Sequence, residues 1–363
     1  MLTNVFKKKT EPNTASVFQA FLVGNNSVNW TGNTYEQFCT EGYIKNVVAY
    51  RCIAMVARSA SFVNIECGLK KNDGVFVKNP SHFLNTLMAM PNIHESYYDI
   101  MEKIYSYKLL WGNAFVRISQ NQNKYILECL RPDRITILSD DDGQVVGYRY
   151  KHKKITENYY INENGFCEII HIKSFNPMND FYGLSAMESA KYSIDQHNEA
   201  SKYTKSLLQN SARPSGALVV KANEYNNGGR LTDEQFENLK SQLFSSHTGA
   251  GNNGKPLILE GGLEWKEMSI SPKDMDFIET KHSSAREIAL AFGVPPQLIG
   301  IPGDNTYSNM AEARLALWEQ TIIPLIQDVT KTLERGFRNF LQNYDLDLEF
   351  DKNKISQVSQ KSI

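Results

Sequence analysis

Apolar side chains return every third or fourth position across residues 44–62, where Val48, Cys52, Met55 and Val56 share a face, and this spacing predicts a helix. Residues 64–77 alternate instead, as strands do. A second helix is predicted from about Ser96, with Tyr97, Ile100, Ile104, Tyr107 and Trp111 on one stripe and Gly112 placed for a left-handed cap. Such a stripe needs a sheet to cover. Residues 114–174 supply one, with alternating runs at 134–138, 145–150, 158–161 and 167–172 separated by turn residues. Asp142 and Gly143 mark the clearest hairpin, because glycine accepts the positive φ that such turns use. Residues 43–183 therefore read as one α+β unit, preceded at 1–42 by a polar, aperiodic stretch expected to be a flexible arm.

The second half changes character. Ser185 and Glu188 form a capping box that opens a helix spanning residues 184–211. Beyond Ile194 this helix is polar nearly all round (Lys191, Asp195, Gln196, Asn198, Glu199, Lys202, Lys205), which predicts that it packs against other subunits or bridges two parts rather than entering a monomer's core. Residues 212–270 form an insertion with strands at 216–220, 256–259 and 263–268. Its helix starts at Thr232, specified by a Thr232–Gln235 capping box and a Leu231–Phe236 staple. A helix at 271–293 follows with the stripe Met275, Ile278, His282, Ala285, Ala289 and Phe292, stopped by Gly293 and Pro295. After the loop 294–308 comes a helix over 309–342, with Leu315, Trp318, Ile322, Leu325, Val329, Leu333 and Phe337 on one side. At 1.5 Å per residue it would be about 50 Å long. Pro324 lacks the amide hydrogen that the Gln320 carbonyl requires, so a kink is predicted there. A short strand and polar tail occupy 343–363.

Composition narrows the function classes. With 363 residues, 41% apolar and 22% charged, the chain is long enough for two or three compact units and resembles neither a disordered nor a membrane-spanning protein. Thirty-nine Lys plus Arg against forty Asp plus Glu leave a net charge of -1, so no global basic field is available to grip nucleic acid. Cys39, Cys52, Cys67, Cys129 and Cys167 are odd in number and form no CxxC pair, which reads as buried thiols. Glu11, Pro12 and Gln19 interrupt the apolar core that a signal peptide would need. Residues 289–303 are too short and too rich in proline to cross a bilayer, so no membrane association is expected.

Catalytic motifs fail on context. Gly249, Gly251, Gly254 and Lys255 satisfy most of a phosphate loop, and a nucleotide-binding, DNA-processing enzyme is the alternative reading. Pro256, however, stands where a hydroxyl should meet magnesium, and the expected order is helix, loop, strand rather than strand, loop, helix. The GxSxG pattern beginning at Gly183 ends on Met187, and Ser185 is better explained as a helix cap. Asp140, Asp142 and Gly143 lack the remaining calcium ligands and suit a hairpin turn. The seven histidines show no metal spacing, and Lys151, Lys153 and Lys154 suit a solvated face. No catalytic, cofactor or metal set emerges, and the chain is expected not to be an enzyme.

Taken in order, several fragments carry a resemblance: Asn79 to Phe83, Met90 to Asn92, Gly112 to Phe115, Glu168 to Ile172, Gly183 to Ser185, Ala212 to Gly216, Leu259 to Gly262, Phe292 to Pro296, and the stretch GIPGDNTYSNMAEA at 300–313. Together, over about residues 47–333, they resemble the portal proteins of tailed bacteriophages, of the compact siphovirus type also found in gene transfer agents. The resemblance implies an α+β wing, a stem of two helices, a small α/β clip inserted between them, a tunnel loop and a long kinked helix. In this scheme Asp304, Asn305, Thr306 and Tyr307 face the channel, Pro324 bends the helix, and Phe236, Leu239 and Leu243 belong to a partner-docking clip. Met275, Ile278, His282 and Ala285 form the stem stripe.

It further implies a ring of about twelve copies at one capsid vertex, closed through two different faces. Double-stranded DNA would pass through without sequence reading, and no cofactor is implied. The expected partners are the terminase large subunit, a head-tail adaptor protein and a major capsid or scaffold protein. The implied location is the virion, with assembly in the bacterial cytoplasm. Few residues follow position 341, so the crown of larger portals is expected to be minimal or absent.

Overall fold

The structure, a computed structural model, describes residues 32–70, 75–121, 124–209, 216–220, 234, 237–238, 241, 263–267, 276–301, 307–342, 345–352 and 355. Of the helix expected from Thr232, only residues 234, 237–238 and 241 are described, and they are helical; the strand at 256–259 and the loop at 249–255 lie outside the described residues. The element order is α1 (Val47–Ser61), β1 (Ile65–Lys70), β2 (Phe76–Lys78), α2 (Phe83–Ala89), α3 (Tyr97–Trp111), β3 (Asn113–Asn121), β4 (Lys124–Leu130), β5 (Ile135–Ser139), β6 (Val145–His152), β7 (Ile155–Tyr160), β8 (Ile169–Lys173), α4 (Lys191–Gln209), β9 (Gly216–Val220), β10 (Leu263–Glu267), α5 (Phe277–Ala291), α6 (Tyr307–Ala316), α7 (Ile323–Leu341) and β11 (Asp347–Phe350). The chain divides into two compact units, Met1–Tyr192 with Arg286–Ile363, and Ser193–Ala285.

In the first unit, Asn46 Oδ1 starts α1 by accepting from the N–H groups of Val48 and Ala49, at 3.1 and 3.0 Å. Helix α3 begins at a Ser96–Asp99 capping box and ends on Gly112 at φ 72. Three antiparallel sheets surround these helices, with strand orders β11-β1-β2, β4-β3-β8 and β5-β6-β7. Phe115, Leu130, Ile135, Ile137, Tyr148 and Ile169 form a core cluster joining the last two sheets. The expected hairpin closes at Gly143, φ 77, whose N–H donates to Asp140 O. Strands β3 and β4, which pair in register from Phe115↔Leu130 to Asn121↔Lys124, were not resolved individually by the sequence pattern.

Two expectations are corrected. Residues 32–42, expected to belong to a flexible arm, are ordered: Thr34 and Gln37 form a capping box, and a helical turn runs into a π-helix at Phe38–Ile44. Phe38 is only 3% exposed, and its ring and that of Tyr35 meet Trp111 edge-on. Two aromatic anchors hold this segment without producing a periodicity. The helix expected over 184–211 is broken: Ala186–Ser189 forms one turn, Ala190 caps it, and α4 starts at Lys191.

The long C-terminal helix carries a π-turn, Leu317–Ile322, between α6 and α7. Its buried apolar positions are Ala313, Leu317, Ile322, Ile323, Ile326, Val329, Leu333 and Phe337, joined by Thr330 and Glu334. The step of five from Leu317 to Ile322 carries the extra residue of that turn, and Leu315, Trp318 and Leu325 are only partly buried. Gly336 lets α7 lie against β8, since a Cβ there would stand 2.4 Å from Ile170 Cδ1.

In the second unit, Ser284 Oγ lies 3.0 Å from Gln196 Oε1, and the rings of Tyr203 and Phe277 stack at 4.6 Å. Seven residues forward on α4 match seven backward on α5, so the two helices run antiparallel. Strands β9 and β10 pair antiparallel, with Trp265 opposite Leu218. Asp195, His197 and Asn198 are buried within one chain, whereas the expectation was that this polar helix packs against other subunits or bridges two parts rather than entering a monomer's core. None of the three is without a partner, as buried polar groups require.

Candidate functional site

The fragments singled out along the chain converge on polar joints. Asn113 leads β3, and its side chain ties together three of them. Its Nδ2 donates to Trp111 O and Gly183 O at 2.8 and 3.2 Å, which leaves Oδ1 to accept from Gly183 N at 2.8 Å. His171 Nε2 lies 3.0 Å from the same oxygen and so must carry the hydrogen. Burial, with the charges of Lys173, Lys108 and Arg335, holds His171 down to about 3, so the ring is neutral. It stacks on Phe115 at 4.4 Å. Gly112 and Gly183 are needed because their backbones nearly touch: a Cβ on Gly112 would fall 2.4 Å from Gly183 O.

Two earlier fragments behave alike. Asn85 Nδ2 donates to Asn79 O and Cys67 O, and Asn85 Oδ1 accepts from Cys67 N, fixing the turn that carries His82. His82 Nδ1 caps α2 by accepting from Leu84 N, and burial lowers its pKa. Asn92 holds the chain after Pro91 to Leu127 O.

The stretch Phe292–Pro296 ends α5 as a Schellman motif. Val294 N donates to Ala289 O at 2.8 Å, Gly293 N donates to Leu290 O at 3.0 Å, and Gly293 sits at φ 64. Thr321, inside the π-turn, donates its hydroxyl to Gly293 O at 2.6 Å, so the end of α5 and the irregular turn are fastened to each other. Further along, Glu334 is 5% exposed. It accepts from Leu348 N at 2.9 Å and pairs with Lys331 and Arg338, securing β11 against α7.

Of the residues expected at a site, Asp304, Asn305, Thr306, Phe236, Leu239, Leu243 and Met275 lie outside the described residues, as does Lys255 of the glycine-rich loop. Tyr307 is the first residue of α6. Pro324 is exposed and second in α7, directly after the π-turn. Ile278 is 72% exposed, His282 half-buried and Ala285 buried, so the face that α5 buries runs through Ala285, Ile288, Ala289 and Phe292. Sequence reasoning missed Asn113, Asn85 and Glu334 as organising groups. The two asparagines each sit in or beside a recognised fragment, which was the available signal.

Among the described residues no three His, Cys, Asp or Glu are grouped to hold a metal ion, and no helix is long and apolar enough to cross a membrane. All five cysteines are free thiols, and burial raises Cys52 to about 12 and Cys67 to about 11. What the joints define is an α+β body with backbone crossings pinned by polar side chains and a helix pair carrying an insertion.

The sequence and fold are similar to those of known proteins. Residues 47–363 match the profile of the phage portal protein family, and the chain belongs to that family. It has an α+β portal fold. An uncharacterized protein of Rickettsia bellii (strain RML369-C) is 45% identical over 88% of this chain and 81% of its own length. The probable portal protein of Streptomyces phage phiC31 is 27% identical over 67% of this chain and 52% of that protein. A chain from the neck of an empty GTA particle, solved with C6 symmetry, superposes with a TM-score of 0.69 at 36% identity, covering 92% of this chain and 88% of that one. A chain from the neck of a native GTA particle, solved with C12 symmetry, gives 0.67 at 35%.

Proposed function

We propose that copies of this chain form a ring of about twelve at one vertex of a virus-like particle, closed through two different faces of each subunit. Double-stranded DNA passes through its bore during packaging and ejection. The supporting observation is the 35% identity, over 92% of this chain, to a chain in a GTA neck solved with C12 symmetry. In this assembly residues 43–183 are the wing, 184–211 and 271–293 the stem, 212–270 the clip, 294–308 the tunnel loop, 309–342 the kinked helix and 343–363 a short strand and tail. Ile278 and His282 sit on the stem, Phe236, Leu239 and Leu243 on the clip, and Asp304 to Tyr307 toward the channel. The ring docks the terminase large subunit, a head-tail adaptor and a capsid or scaffold protein. It resides in the virion after assembly in the host cytoplasm.

The chain acts as a conduit and not as an enzyme. A lysine-phosphate contact repeated about twelve times would hold a duplex tightly, since only 6 to 10 such contacts already change affinity by about 10³ to 10⁵ between low and moderate salt. A net charge of -1 suits sliding. Electron microscopy of the purified protein is expected to reveal rings with a bore that admits B-form DNA. A monomer under every assembly condition would overturn the reading. Replacing Pro324 by alanine returns an amide hydrogen to the turn, which should straighten the helix and reduce packaged DNA, and normal particle yield from that variant would remove Pro324 from the mechanism.

A further inference from the structure

The two ends of the sheet β5-β6-β7 carry opposite charge. Asp140, Asp141 and Asp142 stand exposed on the turn between β5 and β6. Ile161 N donates to Val146 O at 2.9 Å, which brings the turn after β7, with exposed Glu163, to the same end. The opposite end, between β6 and β7, exposes Lys151, Lys153 and Lys154. The length of β6, Val145–His152, separates the two groups by about 25 Å. That exceeds the ~10 Å over which salt at 0.1 M screens exposed charges, so the groups do not neutralise one another within a chain. Among the described residues none of these seven side chains forms an ion pair. Neighbouring charges of the same sheet are already matched, Asp133 by Arg131 and Glu157 by Arg117.

We propose that the acidic end of this sheet in one copy docks against the basic end in the next copy around the ring. The proposal rests on the ring reading above. A head-to-tail interface needs two different, complementary faces on one subunit, and a sheet with one sign at each end provides them. Nucleic acid would suit the lysine end alone and be repelled by the other. Single exposed pairs contribute little, so the contact sets orientation and salt dependence more than affinity.

The test compares wild type with D141K/D142K/E163K and with K151E/K153E/K154E, using electron microscopy and sedimentation at low salt. Each variant alone has two ends of one sign and should need about tenfold more protein to form rings, a shift set by about 1.4 kcal/mol. A 1:1 mixture should assemble at wild-type concentration, because the two variants can alternate around an even-numbered ring. Unchanged assembly of either variant alone, or a mixture that stays unassembled, overturns the proposal. Where a reversed variant melts below wild type as a monomer, D141N/D142N and K153Q/K154Q replace it. They should flatten the salt dependence of assembly, and an unaltered dependence overturns the pairing equally. Wild type failing to form rings would sink the ring reading itself, an outcome visible before any variant is made.

Discussion

Helices α7 and α4 each span nineteen residues and are held in opposite ways. Ile326, Val329, Leu333 and Phe337 line the apolar face of α7, which also buries the Glu334 carboxylate, held by Leu348 N, and the Thr330 hydroxyl, which has no hydrogen-bond partner among the described residues. Helix α4 buries Ile194 and Ala200 but also Asp195, His197 and Asn198, and meets α5 through the Gln196–Ser284 contact and the Tyr203–Phe277 stack. The stripe from Ile326 to Phe337 is buried as its spacing predicts, because removing apolar surface from water is the main driving force. A polar face does not report exposure, because buried polar groups are acceptable wherever partners exist.

The largest expected effect tests that contrast directly. Phe337→Ala should destabilise the protein by about 3–5 kcal/mol in urea unfolding, since its ring is fully buried. Tyr203→Ala on α4 removes a partly solvated ring from one stack and should cost about 1 kcal/mol. Equal losses would erase the distinction. Gly112→Ala comes next, at about 1–3 kcal/mol for a side chain at φ 72, with a further loss from the approach to Gly183. An unchanged urea midpoint would show that the crossing of Gly112 and Gly183 is not tight.

His171 gives a pH signature that α4 lacks at comparable strength. Its folded pKa, near 3, lies below the unfolded value of about 6.5, so the unfolded chain takes up the proton first. Stability from this group is complete above pH ~6.5 and is lost as pH falls towards 3, by up to about 1.4 kcal/mol per unit. His171→Gln should flatten the stability profile over that window. An identical slope in the variant would mean that other groups carry the acid sensitivity.

How much was legible follows the same physics. The stripes of α1 and α3, the cap at Gly112 and the turn at Gly143 were readable because each is a local rule about spacing or positive φ. The line of burial on the C-terminal helix was misread at Leu315, Trp318 and Leu325, since a period of 3.6 cannot anticipate a π-turn whose fastening, Thr321 to Gly293, comes from another element. Tyr35 and Phe38 were assigned to an arm because two aromatic anchors on Trp111 create no repeat. Family membership was readable in fragments such as Asn113 to Phe115, although the reason, an asparagine bridging two backbone segments and a histidine, appears only in three dimensions.

The smallest expected effect examines the polar contact that ties α3 to α7. Lys108 is 6% exposed, and its Nζ lies 3.0 Å from Asp328 Oδ2 without hydrogen-bond geometry, while Asp328 is largely open to water. An ammonium so placed loses hydration and gains one screened attraction, so its net contribution should be near zero. Lys108→Met keeps the volume of the aliphatic part of the side chain and should change stability by no more than about 1 kcal/mol in either direction. Asp328→Ala leaves the buried ammonium alone and should be the worse of the two. The opposite ranking would mean that the Lys108 ammonium does not depend on Asp328 for its place in the fold. In Lys108→Met the His171 pKa should also rise, because one of the three cations that depress it is gone. That shift, read by NMR titration, separates removal of a charge from loss of packing.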